Sequence, residues 1–186
     1  MIFKMKLQRL LELEQEKPLD KDNVMAMSQR KNLRYLYYDD LKNRDTLHKL
    51  LPEQDSGLLI LFVKQNSEVG HFCLFFRNKR SGMHFFDPYG FGLKKVLDIT
   101  GSSHKIETLM IGHDVHINKH PYQKLHKGRA AVNTCGRHCI TRWNASHLKP
   151  DEYEDLMHHP SLDADEIVTM LTLEQDLVSL PVTSLK

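Results

Sequence analysis

The chain has 186 residues and carries 26 basic against 24 acidic side chains, so its formal net charge is only +2 at pH 7. A chain of this length forms one domain with its own core and is too short for two full-sized domains. With 40% hydrophobic and 27% charged residues, the composition is that of a globular protein and excludes wholesale disorder or a fibrous structure. The small net charge does not single out a class of partner.

The apolar runs and the cysteines indicate whether the protein is expected to span a membrane and whether its thiols are expected to be free. The longest apolar run, Leu58–Val63, is about a third of the ~20 residues that a membrane-spanning helix needs, so we expect no membrane partner. Three cysteines are an odd number, and no secretory signal is visible, so a disulfide framework is not expected. We therefore expect free thiols and an intracellular location.

The first part of the chain predicts helical flanking structure. Leucines at roughly helical spacing among charged residues predict an amphipathic helix over 5–17. The segment Asn32–Leu51 is also rich in leucine and tyrosine, and Asp39 and Asp40 mark a predicted helix start within it.

The middle of the chain predicts a sheet. Short apolar or alternating runs separated by turn-prone segments are typical of strands with tight connections. The predicted strands are Leu58–Val63, His71–Phe76, Met83–Phe86 and Lys105–Ile111.

After Thr134 the pattern becomes helical again, because Cys135, Cys139 and Trp143 can share one helix face. Two further helices are predicted from a proline at a first helical position and from a capping box. They are Pro150–Met157 and Asp163–Ser179. We expect one α+β domain over 1–186, with its core at about 58–148 and helical flanks at 1–57 and 149–186.

Three short motifs together supply a thiol, an imidazole and a carboxylate. They are Gly70-His71-Phe72, Phe86-Asp87-Pro88-Tyr89-Gly90 and Asn133-Thr134-Cys135-Gly136. Cysteine-dependent hydrolysis needs a thiolate nucleophile, an imidazole that moves the proton, and an acid that fixes the tautomer of the ring. His71 and Asp87 lie near the ends of two neighbouring predicted strands, so we expect them to face each other.

Cys135 falls in the first turn of its predicted helix, where free N–H groups and the positive end of the helix dipole lower a thiol pKa. Gly136 is expected to leave room for a substrate backbone above the sulfur. The backbone N–H of Cys135 and the side-chain amide of Gln123 are the candidate donors of an oxyanion hole. Phe72, Phe91 and Trp143 are candidate walls of a narrow substrate cleft.

These motifs, in the order His71, Asp87, Gln123, Cys135, resemble the adenovirus-type and SUMO-protease-type cysteine peptidases. The chain is most similar to the versions in giant DNA viruses, virophages and Polinton-like elements, over about Leu58 to Leu148. The resemblance implies a papain-like fold in permuted order, with a central mixed sheet flanked by helices. It also implies cleavage of viral structural precursors during virion maturation, at small Gly-containing sites, in the host cytoplasm, a virus factory or the virion.

The chain departs from this family at two places. Relatives usually have Trp after the catalytic His, whereas this chain has Phe72. Gln123 precedes Cys135 by twelve residues, a longer stretch than in typical relatives, so an insertion around 127–131 is expected.

Alternatives to the triad remain open at this stage. Asp98 and Asp114 could replace Asp87, whose Asp-Pro dipeptide is also a common turn starter. Cys73 and Cys139 are expected in the core. Four histidines could suggest a metal site, but their spacing matches no zinc motif, so we expect neither metal nor cofactor. These histidines are His113, His116, His120 and His138.

The expected partner is a virion protein substrate, and the oligomeric state stays open. DNA could activate the protein through a basic segment, as nucleic acid does in the adenovirus relative. That segment contains Lys119, Lys124, Lys127 and Arg129. The competing hypotheses are an isopeptidase for a ubiquitin-like modifier and an inactive scaffold or nucleic-acid-binding virion protein.

Overall fold

A computed structural model of the protein describes residues 2–17, 19–42, 45–63, 70–124 and 132–179. They form a five-stranded mixed sheet flanked by helices, which confirms the α+β class. The strands are β1 (Leu33–Tyr37), β2 (Gly57–Val63), β3 (Gly70–Asn78), β4 (Gly82–Phe86) and β5 (Val115–Ile117). The helices are α1 (Ile2–Glu16), α2 (Lys21–Ala26), α3 (Leu47–Leu50), α4 (Leu93–Thr100), α5 (Lys105–Met110), α6 (Cys135–Asn144), α7 (Pro150–Leu156) and α8 (Ala164–Ser179), with a 3-10 helix at Tyr38–Asp40.

The strands lie in the sheet in their chain order, β1-β2-β3-β4-β5. The central strands β2, β3 and β4 pair antiparallel, while β1 and β5 run parallel to their neighbours at the two edges. The register places His71 opposite Phe62 and Leu74 opposite Phe86. As a result, the start of β3 and the end of β4 lie at the same end of the sheet.

Both faces of the sheet are covered, which explains why the β2 sequence is continuously apolar and does not alternate. On one face, Phe72, Leu74 and Phe76 pack against Cys139, Ile140 and Trp143 of α6 in a single buried cluster. On the other face, Cys73 and Phe75 lie in a second cluster with residues of α3, α4 and α5. Because α6 lies on the β3 face, its first residue comes to the end of the sheet where β3 begins.

Most elements predicted from sequence are confirmed. The three central strands, the helix over 5–17 and the helices that begin near residues 135, 150 and 163 all form within a few residues of their predicted bounds. The capping box of α8 is present: the Asp163 backbone N–H donates to Glu166 Oε2, and the Glu166 N–H donates to Asp163 Oδ1, both at 2.9 Å.

Two predictions about local structure are wrong. Lys105–Ile111 is not a strand, because its inward-facing residues Ile106, Leu109 and Met110 have helical spacing and form α5. The fifth strand lies later, at Val115–Ile117. Asp39 and Asp40 do not start an α-helix: they end a 3-10 helix that follows the unpredicted strand β1.

None of the described helices is both long enough and apolar enough to cross a membrane.

Gly136 allows two helices to pack closely, whereas it was expected to leave room for a substrate backbone above the sulfur. A Cβ atom at this position would lie 2.8 Å from Val24 Cγ2 and 3.4 Å from Phe72 Cδ2. Val24 belongs to α2 and is fully buried. The missing side chain therefore lets α2 pack against the first turn of α6, and Val24 fills the space that was expected for substrate.

We expect Gly136→Ala to lower the free energy of unfolding by about 1–2 kcal/mol, because overpacking costs ~1–3 kcal/mol and the better helix propensity of alanine returns up to ~1 kcal/mol. Urea unfolding of Gly136→Ala, Val24→Ala and the double variant measures this. The double variant should lose less stability than the sum of the single variants, because the clash then disappears. Additive losses would contradict the packing role.

Candidate active site

Cys135 is the first residue of α6, and its side chain is partly exposed. The first N–H groups of a helix have no partner within the helix, so they present positive partial charge there. The backbone N–H groups of Phe72 and Gly136 both donate to the sulfur. These donors favour a thiolate over a neutral thiol at this position.

His71 connects the thiol to a buried acid. Its side chain is 16% exposed, and Nε2 lies 2.8 Å from Oδ1 of Asp87. It also hydrogen-bonds to the Cys135 side chain. Because Asp87 occupies Nε2, Nδ1 is the nitrogen left to exchange a proton with the thiol. The ring of Tyr89 stacks on the imidazole, with 4.9 Å between centroids and 30° between planes.

Asp87 is fully buried at the end of β4, and its carboxylate accepts hydrogen bonds from its own turn. Tyr89 N–H donates to Oδ1 at 3.0 Å, and Phe91 N–H donates to Oδ2 at 2.8 Å. Asn118, which follows β5, holds the backbone of Asp87: its Oδ1 accepts the Asp87 N–H, and its Nδ2 donates to the Asp87 carbonyl, both at 2.8 Å. The sequence analysis missed Asn118.

The pKa shifts of Cys135 and His71 point toward an ion pair. Burial raises the pKa of the Cys135 thiol, but the hydrogen bond and charge of His71 and the two backbone donors bring it below its usual 9.0. Burial lowers the pKa of His71, but acidic groups around it, Cys73, Asp87 and Cys135, raise it well above 6.5. A thiolate held by an imidazolium is the state from which a cysteine hydrolase attacks.

Cys73 is a third neighbour of His71, although sequence analysis placed it only in the core. Its sulfur, a ring nitrogen of His71 and a carboxylate oxygen of Asp87 lie within 4.8 Å of one another. Burial raises the pKa of Cys73 to about 12. The alternation of side chains along β3, which puts residues 71 and 73 on the same face, is the signal that could have revealed this contact.

Gln123 is buried on the segment that follows Tyr122, at 2% exposure. Its Nε2 donates to the Val132 carbonyl at 2.7 Å, three residues before the nucleophile, and its backbone N–H donates to the Pro88 carbonyl at 2.9 Å. Nε2 carries a second N–H for another acceptor. Its role as an oxyanion donor remains a prediction.

The structure selects Asp87 over the other two acids, because only Asp87 meets His71. Asp98 lies on the exposed face of α4, where it pairs with Lys94 at 2.9 Å, and Asp114 is exposed beside β5. Phe72 and Trp143 are not cleft walls as expected, because both are buried against α6.

The four histidines suggested as metal ligands do not come together. His138 bonds to Asp165 at 3.0 Å, while His120 lies 3.6 Å from Glu154. Within the described ranges, none of the four belongs to a group of three closely spaced potential ligands. Those four are His113, His116, His120 and His138.

The predicted basic segment is described only in part. Lys119 is exposed, and Lys124 Nζ donates to Asp163 at 2.7 Å. Lys127 and Arg129 lie outside the described residues, so DNA activation remains a prediction.

A groove of about 560 Å³ begins at Tyr89, the residue that stacks on His71. Tyr122 and Gln123 line one side, and the connection between α7 and α8 contributes His158 and Leu162. The groove thus runs along the segment that carries Gln123, and its connection to the imidazole is the ring of Tyr89. Its size and its mixed apolar and polar lining suit a short stretch of extended peptide.

Comparison with known proteins gives a viral relative and no activity. The chain matches no protein-family profile. It is 26% identical over 151 residues to a protein of Sputnik virophage called "Uncharacterized protein V9". The match spans 73% of this chain and 83% of the virophage protein.

We expect iodoacetamide to alkylate Cys135 before Cys73 and Cys139, because the pKa of Cys135 lies below 9.0 whereas burial raises that of Cys73 to about 12 and that of Cys139 well above 9.0. His71→Ala should move the midpoint of the pH profile of Cys135 alkylation upward. Burial still raises the pKa of the thiol in this variant, but the imidazole that lowers it is gone. Mass spectrometry of the alkylated peptides at several pH values measures both effects. Equal labelling of the three thiols, or an unmoved midpoint, would contradict the ion pair.

Proposed function

We propose that the protein is a thiol endopeptidase that cleaves viral structural precursors during virion maturation. The observation that carries this proposal is the contact chain from the thiol at the start of α6, through His71, to the fully buried carboxylate of Asp87. The same three groups, in the same roles, perform peptide hydrolysis in cysteine peptidases of unrelated folds.

In the first half of the reaction, the Cys135 thiolate attacks the carbonyl carbon of the scissile bond. The carbonyl oxygen becomes an oxyanion, which the backbone N–H of Cys135 and the second N–H of Gln123 Nε2 stabilise. His71 then gives its Nδ1 proton to the leaving amine, the C–N bond breaks, and a thioester with Cys135 remains. Asp87 holds the imidazole through Nε2 during this transfer.

In the second half, neutral His71 takes a proton from water, and the resulting hydroxide attacks the thioester carbonyl. The second tetrahedral intermediate collapses, the C–S bond breaks, and the peptide leaves as a carboxylic acid. Cys135 returns as a thiolate beside protonated His71. The cycle consumes one water molecule and needs no metal or cofactor.

The arrangement of the elements supports a papain-like fold in permuted order. The imidazole comes from a central strand, the acid from the end of the next strand, and the nucleophile from a later helix that packs on the same sheet. The chain order His71, Asp87, Gln123, Cys135 is that of the adenovirus-type and SUMO-protease-type peptidases, to which the motifs are similar. The similarity to a virophage protein supports a viral setting for this activity.

The groove beside Tyr89 supports a preference for small residues at the cut. Tyr89 stacks on one face of the imidazole and also lines the groove, so a substrate chain bound in the groove lies against its ring. A glycine at the scissile position passes such a point with the least steric cost. Sites of the Gly-Gly or Gly-X-Gly type therefore suit this cleft.

Purified protein should cut a fluorogenic peptide with a Gly-Gly site, or a virion precursor protein, whereas Cys135→Ala and His71→Ala should lose at least about 10⁴-fold in kcat/KM because each lacks a triad member. Cys139→Ala is the matched control: it removes a fully buried thiol one turn further along α6, whose hydrogen bond goes to the Phe72 carbonyl and not to His71 or Asp87, and it should stay active. Circular dichroism checks that every variant folds. Cleavage that survives in Cys135→Ala would overturn the proposal.

Two further reagents separate the competing functions. A ubiquitin-like modifier with a C-terminal electrophile should react slowly with an endopeptidase of this kind, and rapid reaction would favour the isopeptidase. A folded wild-type protein that cuts no tested peptide or virion protein would favour the scaffold.

A further inference from the structure

Asp165 lies on the first turn of α8, and its carboxylate is buried at 2% exposure. It touches two separate parts of the proposed active site. One is the segment that carries Gln123, and the other is the first turn of α6. From the sequence alone, Asp165 is predicted only as part of the helix Asp163–Ser179.

The two oxygens of Asp165 serve these two parts separately. Oδ2 accepts the backbone N–H of Lys124 at 3.0 Å, next to Gln123. Oδ1 accepts the hydroxyl of Thr134 at 2.5 Å and Nε2–H of His138 at 3.0 Å, on either side of the nucleophile. Thr134 and His138 are themselves fully buried. Burial raises the pKa of Asp165, but His138, Thr134 and the Lys124 N–H lower it below its ordinary value, so the group is a carboxylate.

The Gln123 segment is thus held from both sides. The Pro88 carbonyl, next to the acid of the triad, accepts the N–H groups of Tyr122 and Gln123, both at 2.9 Å. Asp165 holds the opposite end at Lys124, and Asp163 binds the Lys124 side chain. The position of the Gln123 segment relative to the triad therefore depends on Asp165.

We propose that Asp165 is a positioning residue that sets the Gln123 amide against the Cys135 thiol, an inference that rests on the proposed peptidase function. Catalysis by an oxyanion hole depends on donors held where the charge develops. One carboxylate that binds both the donor segment and the nucleophile helix fixes that distance. The His71–Asp87 pair does not touch Asp165, so it should stay intact without it.

Asp165→Asn tests this with the smallest change in shape. The asparagine amide can take two orientations. If its oxygen faces Thr134 and His138, its NH₂ group faces the Lys124 N–H, and no hydrogen bond forms there because both groups are donors. With the amide reversed, His138 must accept at Nε2 and carry its proton on Nδ1, which is buried and has no partner among the described residues. Either orientation weakens the link.

We expect Asp165→Asn to lower kcat for the Gly-Gly peptide by about 10²-fold, as misplacement of a catalytic group does. Its affinity for a peptide aldehyde that ends in glycinal should fall in parallel, because the bound hemithioacetal needs the oxyanion hole. Iodoacetamide alkylation of Cys135, which needs only the activated thiol, should stay within about twofold of wild type. The Lys124 N–H should exchange faster with deuterium in the variant.

The matched control is Thr169→Val. Thr169 is fully buried on α8 and, among the described residues, bonds within its own helix, donating to the Asp165 carbonyl at 2.7 Å. This variant should keep kcat and aldehyde affinity. Unchanged kcat in Asp165→Asn would overturn the inference, and so would an equal loss of alkylation, which would show a merely structural role. Deuterium exchange at Lys124 needs no peptidase activity, so an unchanged rate overturns the inference separately from any failure of the proposed function.

Discussion

The buried carboxylate of Asp87 is the constraint on which the site depends. An unpaired carboxylate away from water is strongly unfavourable, so a fully buried one requires donors on its oxygens. Its own turn supplies two backbone N–H groups, and His71 supplies the third donor. The same bonds that make the burial tolerable also fix the turn and the imidazole. The fold itself therefore fixes the arrangement of the candidate site.

The sequence predicted elements whose signal is local and missed those that depend on pairing. The central strands have apolar runs bounded by turn-prone segments, and the helices after residue 134 have helical spacing or capping residues, so their positions were predictable. β5 has only three residues, too few for a periodic signal, and β1 lies in a leucine- and tyrosine-rich segment that was predicted as helical flank. Each pairs with the strand at the sheet edge next to it. The segment Lys105–Met110 was misassigned because a six-residue apolar pattern fits either a strand or a helix.

The candidate site shows the same division. Cys135, His71 and Asp87 were predictable because each lies in a local context that its chemistry requires: a helix start, a strand and an Asp-Pro turn. The contacts of Asn118 and Asp165 were not, since they join segments about 30 residues or more apart in sequence. The contacts of Cys73 were predictable only in part. Strand alternation places Cys73 on the same face as His71, but its closeness to Asp87 depends on the pairing of β3 with β4.

The three thiols show how position, and not residue type, sets the pKa of a cysteine here. Burial raises the pKa of all three, and Cys73 shares His71 with Cys135. Only Cys135 also lies at a helix start, where backbone N–H groups of Gly136 and Phe72 donate to its sulfur. Cys73 lies within β3 and not at a helix start, and Cys139 donates its S–H to the Phe72 carbonyl at 3.4 Å. Donors to the sulfur, added to the imidazole, therefore favour a thiolate at one of three neighbouring thiols.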